Sequence, residues 1–429
     1  MPTDDRATPA ARAVRRLPRT AGFWLLGTTL LVFMAASSAP SPLYVVYQHR
    51  WGFSATTLTA VFAVYALALL VALLTVGGLS DFVGRRPVLI AALLAETLAM
   101  VLFLTAGDVG TLLAARTVQG LATGAATGAI SAGLVDLQPG ARLGPLVNSV
   151  SPTLGLAAGA LGSGSLVEYA PAPTALVYAL LTGAFPVLAA AVAFLPELVS
   201  PRPGALASLR PRAAVPAVAR GPFLAAVPCL IATWAMGGLY LSLGGSLSAG
   251  VLHVRSHLVG GLVVSALTGA GAVASTLVRD RAPQRVMIAG AAVLAGGTGL
   301  TLLALGLTST SLFFLGTAVA GCGFGTAFIG AFRSLAALAG PAERAELFAS
   351  VYVVSYLAFS VPAVVAGLAV PSLGLRATAT VYGAVVIALA LTAVLSGAVR
   401  SRTRRSAPPA VGGAPCPAAS RPADRRAAA

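Results

Sequence analysis

Twelve apolar runs, each roughly 20 residues long, follow one another between residues 22 and 398. A helix rises 1.5 Å per residue, so a run of ~20 residues matches the ~30 Å hydrocarbon core of a bilayer. Nothing else constrains the fold as strongly. Charged residues are only 9% of the chain and hydrophobic residues 57%. A soluble domain carries about a quarter charged residues, so this chain cannot clothe a water-facing surface. The expected class is an all-α integral membrane protein. An outer-membrane barrel is excluded, because its strands read as ~10-residue alternating segments and these runs are continuous. The spans fall near 22–44, 56–79, 87–106, 109–133, 144–167 and 174–195, then 223–246, 258–278, 286–307, 310–332, 347–371 and 377–398. Span 1 follows "RRLPRT" but is too long for a cleaved leader and runs straight into another span, so it is expected to be retained.

The net charge is +16. Such a value invites a nucleic-acid reading until the cations are placed on the loops. Alternate loops, with both termini, hold 24 of the 28 Arg; the opposite loops hold only Arg50, Arg255 and Arg376, and Arg116 lies inside a span. Basic loops stay in the cytoplasm. That rule puts both termini there, in a cell membrane, and explains the charge without nucleic acid. The chain has no Lys, which removes a phosphate-binding P-loop and any Schiff-base chemistry. Cys229, Cys322 and Cys416 have no metal-ligand spacing, and His253 and His257 read as a loop pair. No metal, cofactor or enzymatic activity is expected.

Residues 196–222 are rich in Pro and Arg and divide the spans six and six. The expected organisation is an arm (1–21), a first six-helix bundle (22–195), a cytoplasmic linker (196–222), a second bundle (223–398) and a Pro/Ala/Arg-rich tail (399–429). The tail is either simply solvated or in touch with anionic lipid. The halves share a pattern. "DFVGRR" follows span 2 and "DRAPQR" follows span 8, so Asp81 and Arg86 align with Asp280 and Arg285, with Arg281 between them. The same 199-residue offset pairs Gly124 with Gly323. Internal repeats of this kind build secondary transporters, whose bundles rock about a midplane site.

The loop after span 2 places Gly77, Asp81, Gly84, Arg85 and Arg86 at fixed spacing. Plain basic-loop anchoring accounts for two Arg, but not for the acid and the glycines. The alternative is a polar latch, in which Asp81 sits against a helix N-terminus and Arg85 and Arg86 pair with carboxylates on adjacent helix ends. The stretch Gly77-x-Leu79-Ser80-Asp81-Phe82-Val83-Gly84-Arg85-Arg86-x-x-Leu89 resembles the loop 2–3 motif of the major facilitator superfamily, G-x-L-A-D-R-x-G-R-K/R-x-x-L. It departs at Ser80 and at Phe82, where Arg is usual. The resemblance covers residues 22–398. It implies two pseudo-symmetric six-helix bundles and alternating access. It also implies that Asp136, at the end of span 4, joins Asp81 and Arg85 in a cytoplasmic cluster that stabilises the outward-facing state, with Arg142 following.

Span 4, "RTVQGLATGAATGAIS", aligns Arg116, Gly120, Thr123, Thr127 and Ser131 on one stripe, with Gln119 beside it. A buried Arg costs roughly 2.5–3.5 kcal/mol on the insertion scale and needs partners. Gly120 and Gly124 form a small-xxx-small pair for close packing. Arg116, Gln119 and Gly120 match the superfamily's R-x-x-Q-G-x-G; the resemblance links that Arg to proton transfer, the alternative being a structural Arg. Glu96 is the only acid deep in a span, at a depth close to that of Arg116. The two are expected to interact. Either Glu96 titrates during transport or it neutralises Arg116 statically.

In span 5 Pro152 and Gly155 retain part of the exporters' G-P-x-x-G-G, and with Gly159 leave a thin helix suited to bundle contact. The resemblance places spans 1, 4, 7 and 10 around the substrate. They contribute Ser37, Ser38, Gln119, Thr123, Trp234, Tyr240, Phe324 and Phe328, with Asn148 added from span 5. Such a wall suits a small amphipathic solute. The expectation is a monomeric, proton-coupled efflux carrier in a lipid bilayer. The alternative is a metabolite uptake symporter or uniporter. A membrane enzyme would show clustered His, Asp or Cys at depth, and a channel a re-entrant span; the sequence has neither.

Overall fold

The computed structural model describes residues 16–140, 143–254, 256–340 and 343–406, with side chains to 399. The arm before residue 16, Arg142, Arg255, and the tail from 407 with Cys416 lie outside the described residues. The chain folds into α1 (Arg19–Ser38), α2 (Pro40–Trp51), α3 (Ala55–Thr75), α4 (Ser80–Val83), α5 (Arg85–Leu104), α6 (Val109–Leu137), α7 (Leu143–Tyr169), α8 (Leu176–Ala193), α9 (Ala205–Ser208), α10 (Ala217–Gly250), α11 (His257–Leu277), α12 (Pro283–Leu307), α13 (Thr310–Ala336), α14 (Arg344–Leu373) and α15 (Leu375–Ser406). Among the described residues twelve segments are long and apolar enough to cross a membrane, α1 and α2 together forming the first. These are the twelve expected spans. The linker, which carries the short α9, is shorter than expected, because α10 already starts at Ala217, behind Pro216. Ala and Arg in its first turn favour helix, and Pro216 sets the entry.

The first span breaks at "SSAPSPLY". Pro40 has no N–H to give the Ala36 carbonyl, so the ladder between α1 and α2 is interrupted there. That freed carbonyl becomes part of the buried site described below. Other helix starts use side-chain caps. Ser54, Asp108 and Ser309 accept the amides of Thr57, Thr111 and Leu312. The Thr111 amide holds the exposed Asp108 carboxyl below its ordinary value. This cap is therefore complete at neutral pH and is lost as pH falls through that lowered pKa.

Within each half, glycines bring helices to backbone contact. A Cβ on Gly120 or Gly124 would overlap the carbonyl oxygens of Tyr65 and Leu69 on α3. In the second half the matching contacts are Gly321 on Leu267 and Gly325 on Gly271, both on α11. The structural repeat at this point has an offset of 201, and the expected pairing of Gly124 with Gly323 is corrected: Gly323 instead faces Leu294 on α12. A two-residue shift on a helix turns the side chain through most of a half-circle, so a small misalignment selects the wrong neighbour.

The halves meet at one end. Far from the Arg-rich loops, α3 packs on α14 and α7 on α11. Thr56 Oγ1 donates to the Gly367 carbonyl at 2.9 Å, the His257 amide to Glu168 Oε2 at 2.8 Å, and Ser265 Oγ to the Ala157 carbonyl at 2.7 Å. Phe62 and Phe359 bring their rings to 4.8 Å. Toward the Arg-rich end these pairs stop. Among the described residues no hydrogen bond or ion pair joins the bundles there; only the linker does, through the Ala214 amide on the Glu346 carbonyl.

Candidate functional site

A polar network lies sealed inside the first half. Arg116 is fully buried on α6. Its Nε, at 2.9 Å, and its Nη2 donate to Tyr44 Oη, and its Nη1 donates to the Ser37 carbonyl at 3.0 Å and Gln119 Oε1 at 2.7 Å. Its guanidinium also lies 4.8 Å from the Tyr65 ring centre and 5.6 Å from that of Tyr44. Tyr65 Oη in turn donates to Ser37 Oγ at 2.7 Å. Gln119 Nε2 donates to the Ala36 carbonyl at 3.1 Å and to Glu96 Oε1 at 3.1 Å. The Ala36 carbonyl is the acceptor that Pro40 left vacant. Pro40 of "APSPLY" therefore serves the site by freeing backbone for it.

Glu96 and Arg116 are brought together, but not as the expected direct pair. Gln119 stands between them, accepting from one and donating to the other. Thr123 adds a hydrogen bond to the Gln119 carbonyl. Glu96 Oε2 is buried with no partner among the described residues. An ionised carboxylate in this position would leave one charged oxygen unpaired, which is costly at membrane depth. Tyr44 and Tyr65 were not singled out from the sequence. The only signal available was the need of any buried Arg for acceptors.

Several residues expected on the substrate wall sit elsewhere. Ser37 and Ser38 are buried, and Ser38 Oγ donates to the Leu156 carbonyl across to α7. Asn148 accepts from Ser131 at 2.8 Å inside the first half. Tyr240 is sealed within the second half, with Thr317 at 2.9 Å and Phe313 stacked beside it. Gly155 and Gly159 do not reach the other bundle. Both pack on α1, at Leu31 and Ala35, while Gly164 meets α11. Pro152 lies within α7. Phe324 fits against Gly237 and Gly271. Trp234 and Phe328 do belong to an aromatic wall. Trp234 makes edge-to-face contacts with Phe328 at 5.5 Å, Tyr356 at 4.8 Å and Phe359 at 5.6 Å. Tyr356 and Phe359 pack against the α3 cluster of Tyr65, Ala66 and Leu69, so one patch of α3 meets both the charge network and the wall. A cavity of about 350 Å³ is lined by residues of neither the network nor the wall. It lies among α10, α14 and α15, lined by apolar residues such as Val361, Val365, Val381 and Val385 that stand on the outer surface.

The Arg-rich end carries the expected cluster in one half. Arg85 Nε donates to Asp136 Oδ2 at 2.7 Å and its Nη1 to Asp81 Oδ1 at 3.1 Å. Arg19 adds a bond to the Asp136 carbonyl. These contacts tie helices of the first half to one another, not to the second half. Gly77 serves the same packing, since a Cβ on Gly128 of α6 would come within 2.6 Å of the Gly77 carbonyl. Sequence reasoning missed the linker's part. Glu197 accepts the amides of Arg85 and Arg86 at 2.9 and 3.0 Å, capping α5. The Arg86 side chain reaches the Ala193 carbonyl at 3.4 Å. Arg202 donates to the Asp81 carbonyl at 3.0 Å and lays its guanidinium 4.8 Å from Phe82, at the position that departs from the motif. Among the described residues the second half shows no counterpart. There Asp280 reaches only the adjacent Arg279 at 3.4 Å, both exposed, and neither Arg281 nor Arg285 pairs with a described carboxylate.

Gly84 explains itself here. Its φ is +101°, and a Cβ would lie 2.9 Å from Glu197 Oε2. Gly84→Ala is expected to cost about 1–3 kcal/mol through backbone strain and to displace the Glu197 cap. A thermal melt in detergent checks this; an unchanged Tm would contradict it. Asp136→Asn should loosen the same end, whereas Asp280→Asn should leave the melt unchanged, since an exposed pair is worth little.

A model of the Major Facilitator Superfamily matches residues 25–308. Among solved structures, the chain is similar to a mutant of the nucleoside transporter NupG, with 12% identity and a TM-score of 0.67, covering 88% of this chain and 99% of that one. That likeness speaks for the fold. No curated protein matches. With twelve bilayer-length helices in two related halves, this multi-pass membrane protein belongs to the Major Facilitator Superfamily.

Proposed function

We propose that the protein is a secondary transporter that moves a small amphipathic solute across the cytoplasmic membrane by alternating access, coupled to protons and directed outward. The observation that carries this reading is the one-ended contact between the halves. Among the described residues they are bonded through α3–α14 and α7–α11 at one end, and at the other the bonds shown run through the linker. By the basic-loop rule the Arg-rich end is cytoplasmic, so this conformer opens inward. In the outward conformer the Arg85 cluster is the surface available to meet the second half, as the latch reading requires. Membership of a transporter superfamily favours transport over catalysis. The likeness to a nucleoside transporter favours the second reading, an uptake carrier or uniporter for a metabolite.

Cysteines at Glu168 and His257, in a chain with Cys229, Cys322 and Cys416 replaced by Ser, test the cycle. Cross-linking them should lock the far end closed and stop flux in proteoliposomes, with recovery on reduction. Flux that continues through the cross-linked protein refutes alternating access. Glu96 is assigned the proton, because its second oxygen is free to change partners and Gln119 connects it to Arg116, which faces Tyr65. In Glu96→Gln, flux driven by a pH gradient should fall at least about tenfold, while solute counterflow persists. An unaltered pH dependence removes the proton role, and the sign of the gradient that drives accumulation separates export from uptake.

A further inference from the structure

We propose that the solute is an uncharged, flat aromatic or heteroaromatic molecule bearing hydrogen-bond acceptors, stacked on the wall built by Trp234, Phe328, Tyr352 and Tyr356. This deepens the transporter reading and rests on it. The wall starts in the closed seam, where Phe359 meets Phe62 and Tyr356 packs against the α3 cluster of Tyr65, Ala66 and Leu69. From there it runs toward the end where the halves no longer touch: Tyr352 follows Tyr356 at 6.2 Å. A solute entering from the Arg-rich end meets these rings first and is stopped where the seam closes.

Three features set this wall apart from ordinary packing. Its rings are only half-buried, whereas the packing aromatics of the same half, Tyr240 and Phe313, are sealed. Buried Tyr and Trp usually satisfy their polar tips. Here neither Trp234 Nε1, Tyr352 Oη nor Tyr356 Oη has a hydrogen-bond partner among the described residues. None of the three is among the fully buried unpartnered atoms, which are Ser41 Oγ, Glu96 Oε2, Arg333 Nη1 and Ser355 Oγ. The polar tips are therefore unpartnered yet not completely sealed, and they are what an aromatic guest with acceptor atoms would engage.

Charge then decides among aromatic guests. Rings alone would also welcome an organic cation through cation–π attraction. Glu96 and Arg116 are both fully buried in the first half behind Tyr65, and Arg333, one residue past Phe332 on α13, has its Nη1 buried. The Arg116 nitrogens are all engaged, and Glu96 is held through Gln119. None of the four wall residues carries a charge, so an ion stacked on them finds no counter-charge within the wall, and leaving water without one is expensive. A neutral ring loses little water and gains stacking.

The test uses the full-length protein in liposomes and equilibrium dialysis with three bicyclic probes of one size: 2-naphthol, 2-naphthoate and N-methylquinolinium. Protein-free liposomes correct for partition. Saturable binding of 2-naphthol, about tenfold or more tighter than either ion, is the expected result. Tyr356→Ala and Phe328→Leu should each weaken it roughly tenfold, and Tyr356→Phe by a smaller factor, since it removes only the hydroxyl. Monodispersity and helical content report that each variant is folded. Equal or tighter binding of either ion overturns the proposal. So does naphthol binding that ignores both wall substitutions, or the absence of saturable binding by any probe. The Glu168/His257 cross-link reads alternating access without any solute class being assumed. A failed probe series with an intact cross-link phenotype therefore sinks only the substrate class, and a failed cross-link sinks the transporter reading.

Discussion

Arg116→Ala should abolish transport and destabilise the first bundle by about 3–5 kcal/mol, the range for removing one member of a buried charged group. The side chain feeds three acceptors at once: Tyr44 Oη, the Ser37 carbonyl and Gln119 Oε1. Alanine leaves all three without their donor, and each unsatisfied buried acceptor costs about 1–3 kcal/mol unless water enters. It also removes the cation that faces Tyr65, in the patch of α3 that meets both the network and the aromatic wall. Arg116→Lys separates the contributions. A single ammonium keeps the charge but cannot bond bidentately to Tyr44 while reaching Ser37 and Gln119. It should fold better than Ala and transport poorly. Thermal unfolding in detergent and flux in proteoliposomes measure the two effects. A stable, active Arg116→Ala protein would show that the network is dispensable.

Gly120→Val carries the other large effect. No Cβ fits there, because it would overlap the Tyr65 carbonyl oxygen, with Ala68 Cβ at 2.8 Å on the same side. Backbone cannot yield as a side-chain tip can, so α3 and α6 must part. Overpacking of this kind costs about 1–3 kcal/mol and sometimes more. Here it also pulls Tyr65 away from Arg116. Loss of the monodisperse species on size exclusion is expected, with flux lost even where protein survives. Gly162→Ala is the control. It lies mid-helix with open space where its Cβ would go, and should stabilise by about 0.5–1 kcal/mol. A melt in which both variants behave alike would disprove the close-approach argument.

Much of this architecture was legible from residue order. Apolar run length set the spans, because the bilayer imposes it. Gly120 and Gly124 read correctly as close-packing positions, since only small residues let backbones touch. Arg85, Asp81 and Asp136 were recognisable as a cluster from motif spacing. Other features were illegible for a common reason: they depend on which way a side chain turns and on partners far along the chain. Tyr240 reads like a cavity aromatic, yet its helix face is turned to α12 and α13. Gln119 reads like a wall residue, yet it bridges Glu96 and Arg116. Glu197 reads like a linker acid, yet it caps α5 more than 100 residues upstream.

Sequence alone determined the number of membrane crossings, the basic bias of one end and the presence of a lone buried acid and cation. Each follows from a local cost of placing a residue type in oil or water. Tertiary structure alone decided that Glu96 and Arg116 communicate through Gln119, that the Pro40 break supplies an acceptor, and that the Arg85 cluster stays within one bundle. Those outcomes depend on helix rotation and depth, which set distances of a few ångströms that residue order does not encode.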